Sequence, residues 1–263
     1  MLQLTVPREP PGILNGIDVD EWNPETDPFI PHHYSAEDKS GKAECKRALQ
    51  KALGLREEAD APLVAFIGRL AEQKGIDVIE QSYDWLINCV DKAQLIMMGS
   101  GQPEYAEILT QAEKIHQSRV CGYVGFSHEM EHLIIAGADI LIMPSRYEPC
   151  GLPQMYAQRY GTVPVVHATG GLKDSVIQYN PFDTSEEGVG TGWHFDCADA
   201  PGLKFGLYNA IDTFKHYKDA WAKIVVRCMR MNFSWEKSAL KYVDVFKDAK
   251  AAQPHINPLP FEN

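Results

Sequence analysis

The sequence predicts an α/β fold, a parallel sheet covered by helices on both faces, and three observations carry that expectation. Five short apolar runs occupy residues 63–67, 94–98, 120–124, 139–143 and 163–166. They are continuous rather than alternating, as in strands buried on both faces. Between them lie helix-length stretches, such as 76–90 and 129–136, with apolar residues three and four positions apart. Strand–helix alternation at this rhythm is the pattern of a doubly wound parallel sheet.

The elements follow in order. Residues 1–40 hold several prolines and few periodic apolar positions, so they read as a linker arriving from upstream. A helix is expected over 43–53, closing at Gly54. After the sheet, 203–214, 220–231 and 235–249 read as helices. Ser234 is a good N-cap for the last of them, with Lys237 in place of the usual capping-box Glu. The tail, 253–260, reads as unstructured. The resulting division is an interdomain linker with its first helix (1–55), a ligand-binding sheet domain (56–231) and a C-terminal helix and tail (232–263).

Bulk properties narrow the function. The net charge of −11 argues against general nucleic-acid binding, which needs a basic face. Any anionic ligand must therefore be held by a few local cations and backbone N–H groups. No apolar run approaches the roughly 18 residues of a membrane span. The first residues resemble neither a secretory signal nor a transit peptide. The six cysteines include no C-x-x-C pair, so a zinc site built on them is not expected, and reduced thiols are.

Candidate chemistry lies where the runs end. Gly68-Arg69-Leu70-Ala-Glu-Gln-Lys74-Gly75 follows the first run and opens a helix. Its Arg and Lys can converge on one anion near a helix N-terminus, or remain two solvated surface cations. Gly99-Ser100-Gly101 after the second run can present N–H groups to a phosphate, although a tight αL turn accounts for it as well. Gly125-Phe126 ends the third run, and its ring suits either a nucleobase or the edge of the core. The fourth run delivers Arg146, Glu148 and Cys150 to a loop bracketed by Pro149 and Gly151, and parallel sheets bind ligands at this edge. Glu148 can accept sugar hydroxyls or stabilise positive charge on a sugar ring, or simply offset a helix dipole. Cys150 has no histidine near it in sequence, so positioning or packing outweighs nucleophilic catalysis.

Together these motifs resemble the C-terminal half of the starch synthase and bacterial glycogen synthase family. They are Gly12-Ile-Leu-Asn-Gly-Ile-Asp18, Gly68-Arg-Leu…Gln-Lys-Gly75, Gly99-Ser-Gly101, Pro144-Ser-Arg-Tyr-Glu-Pro-Cys-Gly-Leu152, Thr169-Gly-Gly-Leu172 and Phe233-Ser-Trp235. Asn180-Pro-Phe and Gly190-Thr-Gly-Trp193 lean towards the plant and algal soluble enzymes. The resemblance implies the Rossmann-like C-terminal domain of a GT-B glycosyltransferase. It implies a retaining enzyme moving glucose from ADP-glucose to the non-reducing end of an α-1,4-glucan, with no metal or other cofactor. It further implies that Arg69 and Lys74 hold the diphosphate and Glu148 contacts the glucose. Cys150, Gly151 and Leu152 would offer backbone groups, and Gly125 and Phe126 would border the adenine. Asn15 would reach the cleft, and Thr169 and Gly170 would shape its floor.

Two departures stand out. Tyr156 occupies the place of a second Glu found in related retaining transferases, which fits the starch synthase branch. Pro153 stands where the family usually has a hydroxyl or amide. The Lys-x-Gly-Gly-Leu loop and catalytic His of the family's N-terminal domain have no counterpart in the sequence. The expectation is a donor-binding half that does not elongate glucan alone and can associate through the face its missing partner domain would cover. The rivals are a UDP-sugar transferase and a non-catalytic module that binds glucan or a partner. A plant or algal source would place the protein in the plastid, and any other source in the cytoplasm.

Overall fold

The structure, a computed structural model, describes residues 12–183 and 188–252. Residues 1–11 and the tail at 253–260 lie outside the described residues. Six strands form the sheet: β1 (Leu63–Ile67), β2 (Gln94–Gly99), β3 (Val120–Val124), β4 (Ile140–Met143), β5 (Val163–His167) and β6 (Trp193–Phe195). All pairs are parallel, in the order β3-β2-β1-β4-β5-β6. Every residue of β1, β2 and β4 is buried, which is why these runs are apolar without alternation.

Helices α1 (Ser40–Ala52), α2 (Ile76–Cys89), α3 (Pro103–Ile115), α4 (His128–Gly137) and α5 (Pro153–Arg159) connect and flank the first strands. The remainder are α6 (Gly170–Ser175), α7 (Ala200–His216), α8 (Lys218–Met229) and α9 (Trp235–Ala252). The expected helices and strands match these within a few residues. Two elements have no counterpart in the sequence reading, β6 and α6. Three residues give β6 too little length to stand out as a run, and α6 opens on two glycines, which are poor helix formers.

The order reverses between β1 and β4, so the connections leaving these neighbours diverge. That leaves a crevice outside their carboxyl ends. A buried ion pair anchors the opposite ends. Lys46 Nζ of α1 reaches Asp139 Oδ2 at 2.7 Å and the carbonyls of Ala59 and Ala61 at 3.0 and 2.6 Å. The same Asp139 oxygen accepts from the Leu63 N–H at 2.9 Å, so one carboxylate joins α1, β1 and β4.

The segment read as a linker is packed into this domain. Trp22, Asp27, Ile30 and Tyr34 are buried. The Trp22 ring lies between His132 and Tyr156, stacked on them at centroid distances of 3.9 and 3.8 Å. Asp27 accepts hydrogen bonds from His132 and Tyr160 at 2.7 and 2.6 Å. Burial alone would raise its carboxyl pKa, but these two hydrogen bonds bring it below the ordinary value. Further upstream, the Ile17 N–H bonds the Phe233 carbonyl at 2.8 Å, and Ser238 donates to the Leu14 carbonyl at 2.8 Å. Residues 14–17 therefore meet the later chain at the start of α9, around Ser234. Ser238 is the only buried residue among the described side chains of α9.

Candidate donor site at the sheet edge

Two segments 74 residues apart in sequence form the crevice floor. After β1, a single 3-10 turn (Glu72–Lys74) ends at Gly75, whose φ of 72° is left-handed. A Cβ at Gly75 would collide with the Pro144 carbonyl, so only glycine lets this turn rest on the end of β4. The Arg146 N–H then bonds the Gln73 carbonyl, and Gln73 Nε2 bonds the Tyr147 carbonyl, both at 2.8 Å. Arg146 itself is a clamp. Its guanidinium grips both Asp77 oxygens, at 2.8 and 2.6 Å, and the Glu72 carbonyl at 2.8 Å. The Arg146 hydrogen bond holds the Asp77 carboxyl below its usual range. Of the three loop residues singled out from sequence, Arg146 thus faces the neighbouring turn.

Lys74 and Glu148 come together, and Arg69 stands on the same turn as Lys74. Lys74 and Glu148 form a direct ion pair, with both side chains largely buried, and Ser145 Oγ donates to the same carboxylate oxygen at 3.2 Å. Arg69 is exposed and donates to Gln73 Oε1 at 3.0 Å. A cleft of about 350 Å³ opens at the carboxyl ends of β1 and β2, with Arg69, Gly99, Ser100, Phe126 and Pro153 in its wall; Lys74 and Glu148 are not part of its lining. Phe126 is 65% exposed, which excludes the core-edge role and leaves its ring face available. Gly125 hands its N–H to the Gly99 carbonyl at 2.8 Å.

Gly99 and Gly101 serve close approach. The expected αL turn does not occur at Gly99, and a Cβ at either glycine would meet the backbone of residues 68–70. Leu70 bonds the Ser100 carbonyl and receives Gln102, both at 2.9 Å, which welds the two loops together.

The loop carrying Glu148 is seated on the unit that follows β5. Gly171 donates to the Glu148 carbonyl at 2.9 Å. A Cβ at Gly170 would strike that same carbonyl, and one at Gly171 would strike Cys150. Gly151 and Gly170 have φ of 71° and 44°. Thr169 is the N-cap residue of α6, without a side-chain cap bond. Leu152 precedes α5, where Pro153 sits at the first helical position and lacks a donor the helix would leave unused. Cys150 is half-buried against the core, and its carbonyl accepts from Gln154 Nε2 at 2.9 Å. Asn15 is half-buried on the N-terminal segment that packs against the start of α9, and it does not line the cleft. Tyr156 is held in the Trp22 stack.

Glu131 lines the cleft and has no place in the sequence reading. Burial pushes its carboxyl pKa up; the His132 ring opposes the rise and Glu21 adds to it. The only sequence signal was its position on the first turns of α4, one of several acidic residues there.

The description "Glycosyl transferases group 1" fits residues 50–216. Starch synthase 1, chloroplastic/amyloplastic, of Arabidopsis thaliana is 47% identical over 246 residues, covering 94% of this chain and 37% of the relative. Starch synthase 2 of the same plant is 48% identical over 244 residues, covering 91% and 30%. Among solved structures, the catalytic domain of Starch Synthase IV from Arabidopsis thaliana, bound to ADP and acarbose, superposes with a TM-score of 0.80. That likeness has 35% identity and covers 90% of this chain and 48% of that one. The chain thus spans well under half the length of these curated relatives. All six strands and the crevice between them fall inside the matched stretch, and the chain belongs to the glycosyl transferases group 1 family.

Proposed function

We propose that this chain is the donor-binding half of a starch-synthase-type glucosyltransferase, using ADP-glucose to extend an α-1,4-glucan at its non-reducing end. One observation carries the reading: the turn after β1 and the loop after β4 meet at the topological switch point of the sheet, where Lys74 pairs with Glu148 and an exposed Arg69 stands on the same turn. An exposed guanidinium and a largely buried ammonium suit a diphosphate, and the carboxylate paired with the ammonium suits sugar hydroxyls. Phe126 offers a flat apolar face for adenine on the cleft wall. The ADP and acarbose held by the starch synthase IV domain support the same assignment.

In this reading Arg69 and Lys74 stabilise the charge that builds on departing ADP, which is the role a divalent ion would otherwise take. The glucose C1–phosphate oxygen bond breaks, and the acceptor hydroxyl bonds C1 from the same face. Its proton passes to the departing phosphate oxygen, so configuration is retained. Cys150 forms no bond to the sugar. The exposed apolar residues of α9, Leu240, Val243 and Phe246, are where we place contact with an N-terminal half. Chloroplastic/amyloplastic relatives favour a plastid setting for a plant or algal source.

Calorimetric titration tests the assignment. ADP-glucose should bind in preference to UDP-glucose. Arg69→Ala and Lys74→Ala should each weaken ADP by about 10- to 100-fold, as for loss of a charged hydrogen bond worth about 1.5–3 kcal/mol. Unchanged ADP affinity in the double variant would overturn the donor site.

A further inference from the structure

We propose that Glu21, His128 and His132 form a zinc-class divalent cation site that joins the segment preceding α1 to α4, outside the donor cleft. The three side chains offer ligand atoms that all lie within 4.8 Å of one another. His128 and His132 stand four residues apart on α4, hence on one face of the helix. This is the spacing of helical zinc-binding histidine pairs. Glu21 reaches them from the other segment, with Oε1 3.3 Å from His128 Nε2.

The second observation is the state of the His132 ring. It is fully buried, and its Nδ1 lies 2.7 Å from Asp27 Oδ2. Asp27 also accepts from the Tyr160 hydroxyl at 2.6 Å and the Phe29 N–H at 2.8 Å. A carboxylate can only accept, so His132 Nδ1 carries a proton, and in the neutral imidazole Nε2 is then the nitrogen with the lone pair. That Nε2 is buried and has no hydrogen-bond partner among the described residues. The Trp22 ring stacked 3.9 Å away prevents the imidazole from turning to find one. A histidine fixed by a carboxylate on one nitrogen, with the other nitrogen bare, is the arrangement that orients metal ligands.

Two imidazoles and one carboxylate favour zinc over magnesium or calcium, which prefer all-oxygen shells. Zinc bonds of about 2.0–2.2 Å place ligand atoms about 3.3 Å apart, so the set must tighten by up to about 1.5 Å. Glu21 and His128 can supply that movement, since their side chains are 43% and 44% exposed. His132 is the fixed point, and water would complete the tetrahedron. Neither the lack of a C-x-x-C pair nor the metal-free transfer that the family resemblance implies bears on this set, which holds no cysteine and lies outside the donor cleft.

The test uses the metal-stripped 263-residue chain titrated with Zn²⁺ in a calorimeter, with Mg²⁺ as the control. One zinc should bind per chain and raise the melting temperature, and Mg²⁺ should not compete. Glu21→Gln and His128→Ala should each weaken zinc by about tenfold or more, as losses at a built site do. Both residues are exposed enough that the stripped variants should melt like the parent. On zinc binding, the ¹⁵N resonance of His132 Nε2 should leave the bare lone-pair range while Nδ1 keeps its proton. Absence of saturable binding, affinity indifferent to both substitutions, or an unmoved Nε2 resonance at saturation would each overturn the proposal.

Discussion

Glu148 and Lys74 neutralise each other, although resemblance assigns one to the sugar and the other to the diphosphate. A donor that engages Lys74 must draw it partly away from Glu148. Glu148→Gln keeps the shape and removes the competing charge, so ADP alone should bind severalfold more tightly to this variant. ADP-glucose should lose its advantage over ADP, because the sugar hydroxyls lose their strongest acceptor. Paired titrations of the two ligands check this, and a variant that weakens both equally would contradict it. Gly75 sets the same geometry from the backbone. Gly75→Ala must adopt a left-handed conformation and displace Pro144, a combined destabilisation of about 2–4 kcal/mol measurable by urea unfolding.

At the level of elements, strength concentrates in joints between segments distant in sequence. Lys46 and Asp139 tie α1 to β1 and β4 from within the core. Lys46→Met would strand a buried carboxylate, at about 3–5 kcal/mol in denaturant midpoint measurements. The Arg146–Asp77 clamp depends on pH. Asp77 has a depressed folded pKa, so its contribution is complete above the ordinary carboxylate range and disappears as pH falls through the depressed value. Asp77→Asn should therefore lower stability at pH 7 and flatten its decline as pH falls below the ordinary carboxylate range. Such joints also mark where the sequence stops being legible. Buried strands and amphipathic helices write their own periodicity, which is why β1 to β5 and the long helices could be read. The pairing of Arg146 with Asp77 or Trp22 with His132 leaves no periodic trace, because it spans 69 or more residues. The site was legible to the extent that its residues sit at strand ends. Arg69, Lys74 and Glu148 could be located, whereas Glu131 faces the cleft only because of how α4 is rotated against the sheet.

At the scale of the whole molecule, the proposed donor cleft lies at the carboxyl ends of the strands, in a chain that spans 37% of the length of its starch synthase 1 relative. The purified 263-residue chain should bind ADP-glucose yet fail to lengthen maltooligosaccharides, since half a cleft loses most of the positioning on which transfer depends. Robust elongation in a chain-length assay would contradict that. The packed residues from Ile17 to Tyr34 bear on how the molecule can be watched. Trp22, pressed between an imidazole and a phenol, sits where its fluorescence is sensitive to any detachment of this segment from α4 and α5. Subtracting the spectrum of Trp22→Phe from that of the parent isolates this one indole among five. The difference signal is then an internal gauge of whether the arm preceding α1 is seated, readable in real time without any attached dye.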